Sequence, residues 1–206
     1  FFLKYPYQFM DFETFSPMIP LFENTKPMQY IPFQYSLHIQ KKDGTLIHKE
    51  FLHKEKNDPR RNFIENLLKD LRGEGSIMVY NRTFEERILD LIVEEFPEYE
   101  EEIKYIKMRI IDLMEPFKKD YFYHPKMLFS NSLKYVSPAL VPEIQYKGLA
   151  ISDGEEAMFT FEKIMKGEIS ENLEEIYKDL LNYCKLDTLS LVEILKVLKG
   201  QRKIII

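Results

Sequence analysis

The sequence contains a single cysteine, Cys184, and no tryptophan. One cysteine excludes an internal disulfide and favours a reducing environment, so we expect a cytoplasmic protein. No apolar run reaches the ~18–20 residues that a membrane helix needs. The N-terminus also lacks the basic region and apolar core that mark a signal peptide. These absences predict a protein without a membrane partner.

An excess of positive charge is also missing. The net charge is −5, which excludes a protein that binds nucleic acid through its overall charge alone. To bind a polyanion, the protein would need local basic patches or bound cations. Hydrophobic residues make up 45% of the 206 residues, enough for the core of one α/β domain. The chain begins without methionine, almost inside a predicted strand. We therefore expect residues 1–206 to be a single domain excised from a longer protein.

The order of the predicted elements favours a mixed sheet flanked by helices. Apolar runs and turn signals predict five strands, at residues 7–13, 33–40, 45–52, 76–80 and 109–113. Helices separate the later strands, and a last helix covers about residues 172–199, with a break near its middle as one interpretation. A hairpin meander followed by crossover units matches a ribonuclease-H-like α/β sheet with the strand order 3-2-1-4-5. Ligands of such sheets bind at the carboxyl ends of the central strands.

Two carboxylates end the first predicted strand. Asp11 and Glu13 are two residues apart, and because side chains alternate across a strand they point to the same face. Adjacent carboxylates repel each other unless they are protonated or bridged by a cation. The alternative is a strand end that emerges into solvent with both acids hydrated.

Another acid lies in the apolar stripe of the last predicted helix. Asp187 shares this stripe with Leu180 and Leu191, and Tyr183 lies one turn before it on the same face. The alternative is that Asp187 caps a broken helix. Converging carboxylates are the usual ligands of hard cations such as Mg²⁺ or Mn²⁺. Paired metals held by Asp and Glu are a standard device for cutting phosphodiesters.

A further acid is expected near the middle of the chain. Glu85 is the candidate, on the first turns of a helix that follows the fourth strand and that Asn81 can cap. An acid in the first turn is also favoured by the helix dipole alone, which leaves a purely structural interpretation open.

The three acidic segments together resemble the exonuclease motifs of the DnaQ-like (DEDD) 3′–5′ exonuclease superfamily. The pattern is Asp-x-Glu at Asp11, Asn-x-x-Phe-acid at Asn81 and Tyr-x-x-x-Asp at Tyr183, and it spans about residues 7–198. The tyrosine form of the third motif is that of the DEDDy subclass, because the DEDDh subclass has histidine where Asn182 stands. The chain departs from the superfamily at Glu85, where aspartate is usual.

A narrower resemblance is to an uncharacterised bacterial family in which such a domain follows a RecB-like nuclease domain. The segments that carry it are Asp11-Phe12-Glu13-Thr14-Phe15, Ile31-Pro32-Phe33-Gln34-Tyr35-Ser36, Ser132-Leu133-Lys134 and Asp153-Gly154-Glu155-Glu156-Ala157. This resemblance implies a RecB-like nuclease domain as a partner in the full-length chain.

The resemblance to the exonucleases implies a metal-dependent 3′–5′ exonuclease that acts on DNA or RNA, with a single-stranded 3′ end as substrate. Asp11, Glu13 and Asp187 would hold one Mg²⁺ or Mn²⁺ ion. A second ion would bind between Asp11 and the scissile phosphate, with Glu85 contacting it through water. Tyr183 would orient the attacking water, and its usual pKa near 10 makes it a poor general base at neutral pH.

Substrate contacts are expected at Thr14, Phe15, Asn81, Phe84 and Lys134. Phe15, like Tyr121 and Tyr123, can stack on a base, although a core role is the alternative. Lys134 can meet a phosphate, although such charges are often only a solvated face. Asp112 ends the fifth strand, either as a helix cap or as an additional ligand.

Two other classes of function stay open. One is a catalytically weak or inert module that binds nucleic acid and positions a partner nuclease domain; the departure at Glu85 and the acidic net charge keep it open. The other is a carboxylate–metal phosphatase acting on small substrates, which would hydrolyse mononucleotides but not polymers.

Overall fold

The computed structural model describes residues 3–71, 73–144 and 148–200. Its strands are β1 Tyr7–Phe15, β2 Ile31–Gln40, β3 Leu46–Leu52, β4 Ile77–Val79 and β5 Ile110–Asp112. Its α-helices are α1 Arg60–Asp70, α2 Arg82–Glu95, α3 Glu100–Arg109, α4 Glu115–Lys118, α5 Leu133–Leu140, α6 Gly154–Lys166 and α7 Leu173–Leu198. Short 3₁₀ turns cover Pro97–Tyr99 and Pro125–Met127. No helix among these described residues is both long and apolar enough to cross a membrane.

The strands form one mixed sheet with the order β3-β2-β1-β4-β5, which confirms the predicted fold. β1, β2 and β3 pair antiparallel, whereas β4 and β5 run parallel to β1. The central position of β1 therefore places its carboxyl end beside the carboxyl ends of β4 and β5.

Helices cover both faces of the sheet. On one face, Met10 and Phe12 pack with side chains of α1, α2 and α3. On the other, Phe9 packs with residues of α5 and α7. Because side chains alternate along a strand, Asp11 follows Phe9 on the α7 face and Met10 faces the opposite layer. The burial of the apolar partners thus fixes the direction of the acids.

Two irregularities open the sheet near the end of β1. β4 has only three residues and pairs with β1 at Gln8 and Phe9, so the strand from Asp11 onward extends past its parallel neighbour. The pairing of β1 with β2 also shifts register between Glu13 and Thr14. Such bulges re-aim side chains and are common beside active sites.

The helix ends differ from the sequence-based expectation in three places. α7 is continuous through Asp187, so the alternative of a broken helix capped by that residue is wrong. The pair Asp58-Pro59 predicts a helix whose first residue is Pro59, but α1 begins at Arg60, and the Asp58 carboxylate accepts a hydrogen bond from the Arg60 backbone N–H. Asn81 stands at the N-cap of α2 with a left-handed φ of 85° and makes no side-chain cap bond, so its predicted capping role is also wrong.

Candidate functional site

The acidic residues of β1 and α7 meet in one cleft. This main cleft has a volume of about 330 Å³, and its walls include Asp11, Glu13, Tyr183 and Asp187. Asp11 and Glu13 come from the open end of β1, and α7 crosses that strand with Tyr183 and Asp187 facing it. Both Glu13 and Asp187 are buried, at 6% and 7% exposure. The hydrated strand end considered above is therefore not what the structure shows.

Burial and mutual repulsion dominate the electrostatics of the main cleft. Burial raises the pKa of Asp11 well above its usual range, and the charge of Asp187 raises it further. Burial likewise raises the pKa of Glu13, with added contributions from the charges of Asp11 and Asp187. The three carboxyls therefore lie close enough to oppose one another's ionisation, which is the arrangement that a cation relieves.

Cys184 of α7 is a direct neighbour of Asp11. Its thiol is fully buried and donates to Asp11 Oδ2 at 3.6 Å. One potential ligand atom from each of Asp11, Glu13 and Cys184 lies within 4.8 Å of the other two. Burial raises the pKa of the thiol, and the charge of Asp11 adds to the shift, so Cys184 acts here as a protonated donor. The signal in the sequence was its place three residues before Asp187 on one helix face.

Tyr183 is held as a neutral phenol. Only 7% of the residue is exposed, and burial raises its pKa above the usual value, with the charges of Asp187, Glu13 and Asp11 adding to the shift. A phenol with a raised pKa donates a hydrogen bond throughout the neutral range and does not act as a base.

The N-terminus of α6 closes the main cleft from a direction that the sequence did not reveal. A Cβ atom on Gly154 would lie 3.7 Å from both Glu13 Oε2 and Tyr183 Oη. Asp153 is the N-cap of α6 and accepts from the Glu156 backbone N–H at 2.9 Å. The spacing of Ser152 and Glu155 is that of a capping box, but the observed pair is shifted by one residue, to Asp153 and Glu156.

Glu85 reaches the interior beside this cleft. The residue is 1% exposed, and within the described part of the chain its Oε2 atom has no hydrogen-bond partner. Burial raises the pKa of Glu85 well above its usual range, and the charge of Asp11 raises it further. A buried carboxylate oxygen without a partner is costly, so the position fits a ligand that supplies positive charge or a donor.

Asp112 serves the start of α2. Its two carboxylate oxygens accept from the backbone N–H groups of Asn81 and Arg82, each at 3.1 Å, and Oδ1 also accepts from Met114 N–H at 2.8 Å. These bonds supply the cap that the Asn81 side chain does not provide. Asp112 is therefore a helix cap, and its carboxylate is already committed to backbone donors.

The donor set of the cleft fits a hard divalent cation. Carboxylates of Asp11, Glu13 and Asp187 offer oxygen ligands, and Glu85 adds an oxygen that has no hydrogen-bond partner in the described parts of the chain. Oxygen-only sites of this kind suit Mg²⁺, Mn²⁺ or Ca²⁺.

Three of the five expected substrate contacts line the main cleft or the cavity beside it. Thr14 and Phe84 line the main cleft, and Lys134 lines an adjoining cavity of about 210 Å³ that also contacts Asp11 and Asp187. Asn81 is exposed at the start of α2. Phe15 is wrong as a base-stacking residue, because it is fully buried and packs edge-on against Phe161 of α6.

Comparison with solved structures finds similarity to exonuclease I of E. coli. The complex with a dT13 oligonucleotide has 15% identity and a TM-score of 0.49, and covers 78% of this chain and 40% of that chain. The zinc-bound complex with single-stranded DNA has 14% identity and a TM-score of 0.46, and covers 85% of this chain and 43% of that chain. This chain thus spans about two fifths of the length of those exonuclease I chains. No curated protein sequence matches the chain.

A family model matches residues 8–132, described as a domain of unknown function, DUF2779. The matched segment is more than half of the chain and includes Asp11, Glu13, Glu85 and Asp112. It ends before α5, so Tyr183 and Asp187 lie outside it. On this match the chain belongs to the DUF2779 family.

Proposed function

We propose that this chain is a metal-dependent 3′–5′ exonuclease that hydrolyses phosphodiester bonds of DNA or RNA. The observation that carries the proposal is the convergence of buried carboxylates from β1, α2 and α7 that raise one another's pKa. A protein core excludes such a group of acids unless they serve a ligand, because each buried charge is costly without a partner. The ligands that fit this group of acids are divalent cations, together with a phosphate that those cations hold.

Each acidic residue of the site has a proposed role in binding the cations. Asp11, Glu13 and Asp187 would hold one divalent cation, Asp11 would also contribute to holding a second, and Glu85 would contact that second cation through water. Two bound Mg²⁺ or Mn²⁺ ions would supply an activated water and charge stabilisation at the leaving 3′ oxygen. The Cys184 thiol donates to Asp11 Oδ2 and so orients that carboxylate toward the cleft.

Tyr183 orients the attacking water by donating a hydrogen bond. Its raised pKa supports this role over that of a general base, because the phenol keeps its proton at neutral pH. Gly154 lies between Glu13 and Tyr183 in the wall of the main cleft, where a Cβ would make an ordinary contact of 3.7 Å with a side-chain oxygen of each.

The substrate proposed is the 3′ end of a single strand. Beside the acids, the main cleft is lined by Tyr30, Phe84 and Met158, which form an apolar wall for a base next to the acidic floor for a phosphate. Tyr30 and Phe84 meet edge to face at 5.7 Å, so the wall is firmly packed. By its resemblance to the bacterial family named above, we further propose that the domain works in the cytoplasm beside a RecB-like nuclease domain.

The test is the degradation of single-stranded DNA and RNA labelled at either end, with Mg²⁺ or Mn²⁺. We expect a ladder from the 3′ end that disappears with EDTA and falls by several orders of magnitude in Asp11→Asn and Asp187→Asn. Glu171→Gln is the matched control, because Glu171 is an exposed acid outside the cleft. Hydrolysis of mononucleotides alone would indicate the phosphatase class. Binding of strands without any cleavage by the folded, metal-loaded chain would indicate the inert module instead.

A further inference from the structure

Several aromatic rings between α4 and α5 face solvent. Phe129 is 91% exposed, Tyr121 is 80% exposed and Tyr123 is 46% exposed. Tyr123 and Phe129 stack on each other with ring centroids 5.4 Å apart and an interplanar angle of 27°. Phenylalanine is usually among the buried residues, so an exposed stacked pair indicates a contact surface for something outside the domain.

The rings are held outward by an anchored backbone. Met127, between them, is buried in the core, and the Tyr80 hydroxyl donates to the Asn131 carbonyl at 2.6 Å. Leu128 and Phe129 both have positive φ, at 51° and 62°. Bulky residues rarely adopt this left-handed conformation, so the surrounding structure imposes it.

Lysines give the same segment a local positive charge within an acidic chain. Lys118 and Lys126 are exposed, and within the described residues neither makes an ion pair. Lys134 is exposed too and lies 3.5 Å from Asp153. Cations without carboxylate partners beside exposed rings suit a ligand that carries both phosphates and flat bases.

The stacked pair lies close along the chain to residues of the cavity that adjoins the main cleft. Ser132, Leu133 and Lys134 line the adjoining cavity that also contacts Asp11 and Asp187. Ser132 is three positions after Phe129, which limits their Cα distance to roughly 11 Å at full extension. A strand whose end lies at the acids would reach the rings within a few nucleotides.

We infer that Tyr123, Phe129, Lys118 and Lys126 form a binding surface for single-stranded nucleic acid that holds the strand leading into the main cleft. The polarity of this path rests on the proposed function, whereas the binding itself does not. The surface suits a single strand because base faces are free to stack on it, whereas in a duplex they are covered by their neighbours. Stacking and phosphate contacts of this kind make binding tolerant of base sequence and sensitive to salt.

The test is the affinity of the chain for a fluorescent oligothymidylate, measured by anisotropy in EDTA so that binding is separated from metal-dependent cleavage. Phe129→Ala should weaken binding by roughly ten- to a hundredfold, the range expected for loss of base stacking. Phe129→Trp keeps a ring and should restore binding. Lys126→Gln should lower the slope of log affinity against log salt by about 0.7, as for one phosphate contact on a single strand.

Tyr105→Ala is the matched control, because Tyr105 is 42% exposed on α3, in the layer on the other side of the sheet. Circular dichroism would show that each variant is folded, which is expected because Phe129 contributes little to the core. Unchanged affinity in Phe129→Ala would overturn the inference, and would be the outcome if the rings serve a neighbouring protein domain. Weakened binding in a chain that never cleaves would support the inference while refuting the exonuclease.

Discussion

Removing one carboxylate from the main cleft should stabilise the metal-free protein. Asp11 and Glu13 present oxygens within 4.8 Å of each other, so two full charges would repel by about 3.5 kcal/mol at an effective dielectric constant near 20. Keeping one of them protonated at pH 7 costs a similar amount, because each pH unit above the usual pKa near 4 costs about 1.4 kcal/mol. Glu13→Gln removes this charge and keeps the shape of the side chain. We expect its free energy of unfolding in EDTA at pH 7 to exceed that of the native chain by roughly 1–3 kcal/mol, since burying the new amide offsets part of the gain.

The effect should depend on pH with a definite sign. The pKa values of Asp11 and Glu13 are raised in the folded state. Below about pH 4 the carboxyls are protonated in both the folded and the unfolded protein, so they contribute no difference. As the pH rises above 4, the unfolded chain releases these protons while the folded chain retains them or bears the repulsion. Native stability therefore falls with rising pH, and the advantage of Glu13→Gln grows toward neutrality.

Urea denaturation followed by circular dichroism between pH 4 and pH 8 would measure both effects. Glu171→Gln, the same substitution on an exposed acid, should leave the free energy of unfolding within about 0.5 kcal/mol of native. Mn²⁺ should reverse the order of stability, because cation binding to the folded state stabilises the native chain more than the variant. A variant that is less stable than native at pH 7 in EDTA would refute the idea that repulsion between these carboxylates is stored in the fold.

Three further substitutions test Tyr183 in the candidate site and two residues whose hydrogen bonds stabilise the fold around it. Tyr183→Phe should leave the fold intact and lower the exonuclease kcat about 10²- to 10⁴-fold without a change in pH profile, measured with a labelled oligonucleotide, because the phenol acts as a donor. Thr188→Val should lower the free energy of unfolding by about 1–3 kcal/mol in urea denaturation, because its hydroxyl bonds Ser36 at 2.7 Å and His38 at 2.8 Å. Asp112→Ala should cost about 2 kcal/mol in the same assay, since three backbone N–H groups lose their acceptor.

The sequence predicted the sheet and the face toward which its acidic side chains point, because both follow from the periodicity of apolar residues along the chain. Alternation along β1 placed Asp11 and Glu13 on one face, and helical spacing placed Asp187 in the stripe of α7 that packs there. Both rules act over a few residues, so the chain alone reveals them. The strand order followed from the sequence of hairpin and crossover units, which is also a property read along the chain.

The features that the sequence did not predict depend on residues far apart in the chain. Asp112 was expected to be either a helix cap or a ligand, and only its bonds to the start of α2, about 30 residues away, show that it is the cap. Phe15 has the two-residue spacing of the cleft acids but is covered by Phe161, which lies beyond the family match in α6. The approach of Gly154 to Glu13 likewise exists only once α6 has docked. Tertiary packing decides each of these positions.

The way α2 begins determines where Glu85 lies relative to the other acids of the site. The left-handed turn at Asn81 and the cap from Asp112 fix where α2 begins, and that start sends Glu85 into the interior near Asp11. A side chain one methylene longer than aspartate extends further from the helix, and here its Oε2 remains without a protein partner among the described residues. A buried carboxylate oxygen without a partner lowers the stability of the fold. We propose that this oxygen pairs with a ligand, and a water held by a cation at Asp11 would meet that requirement.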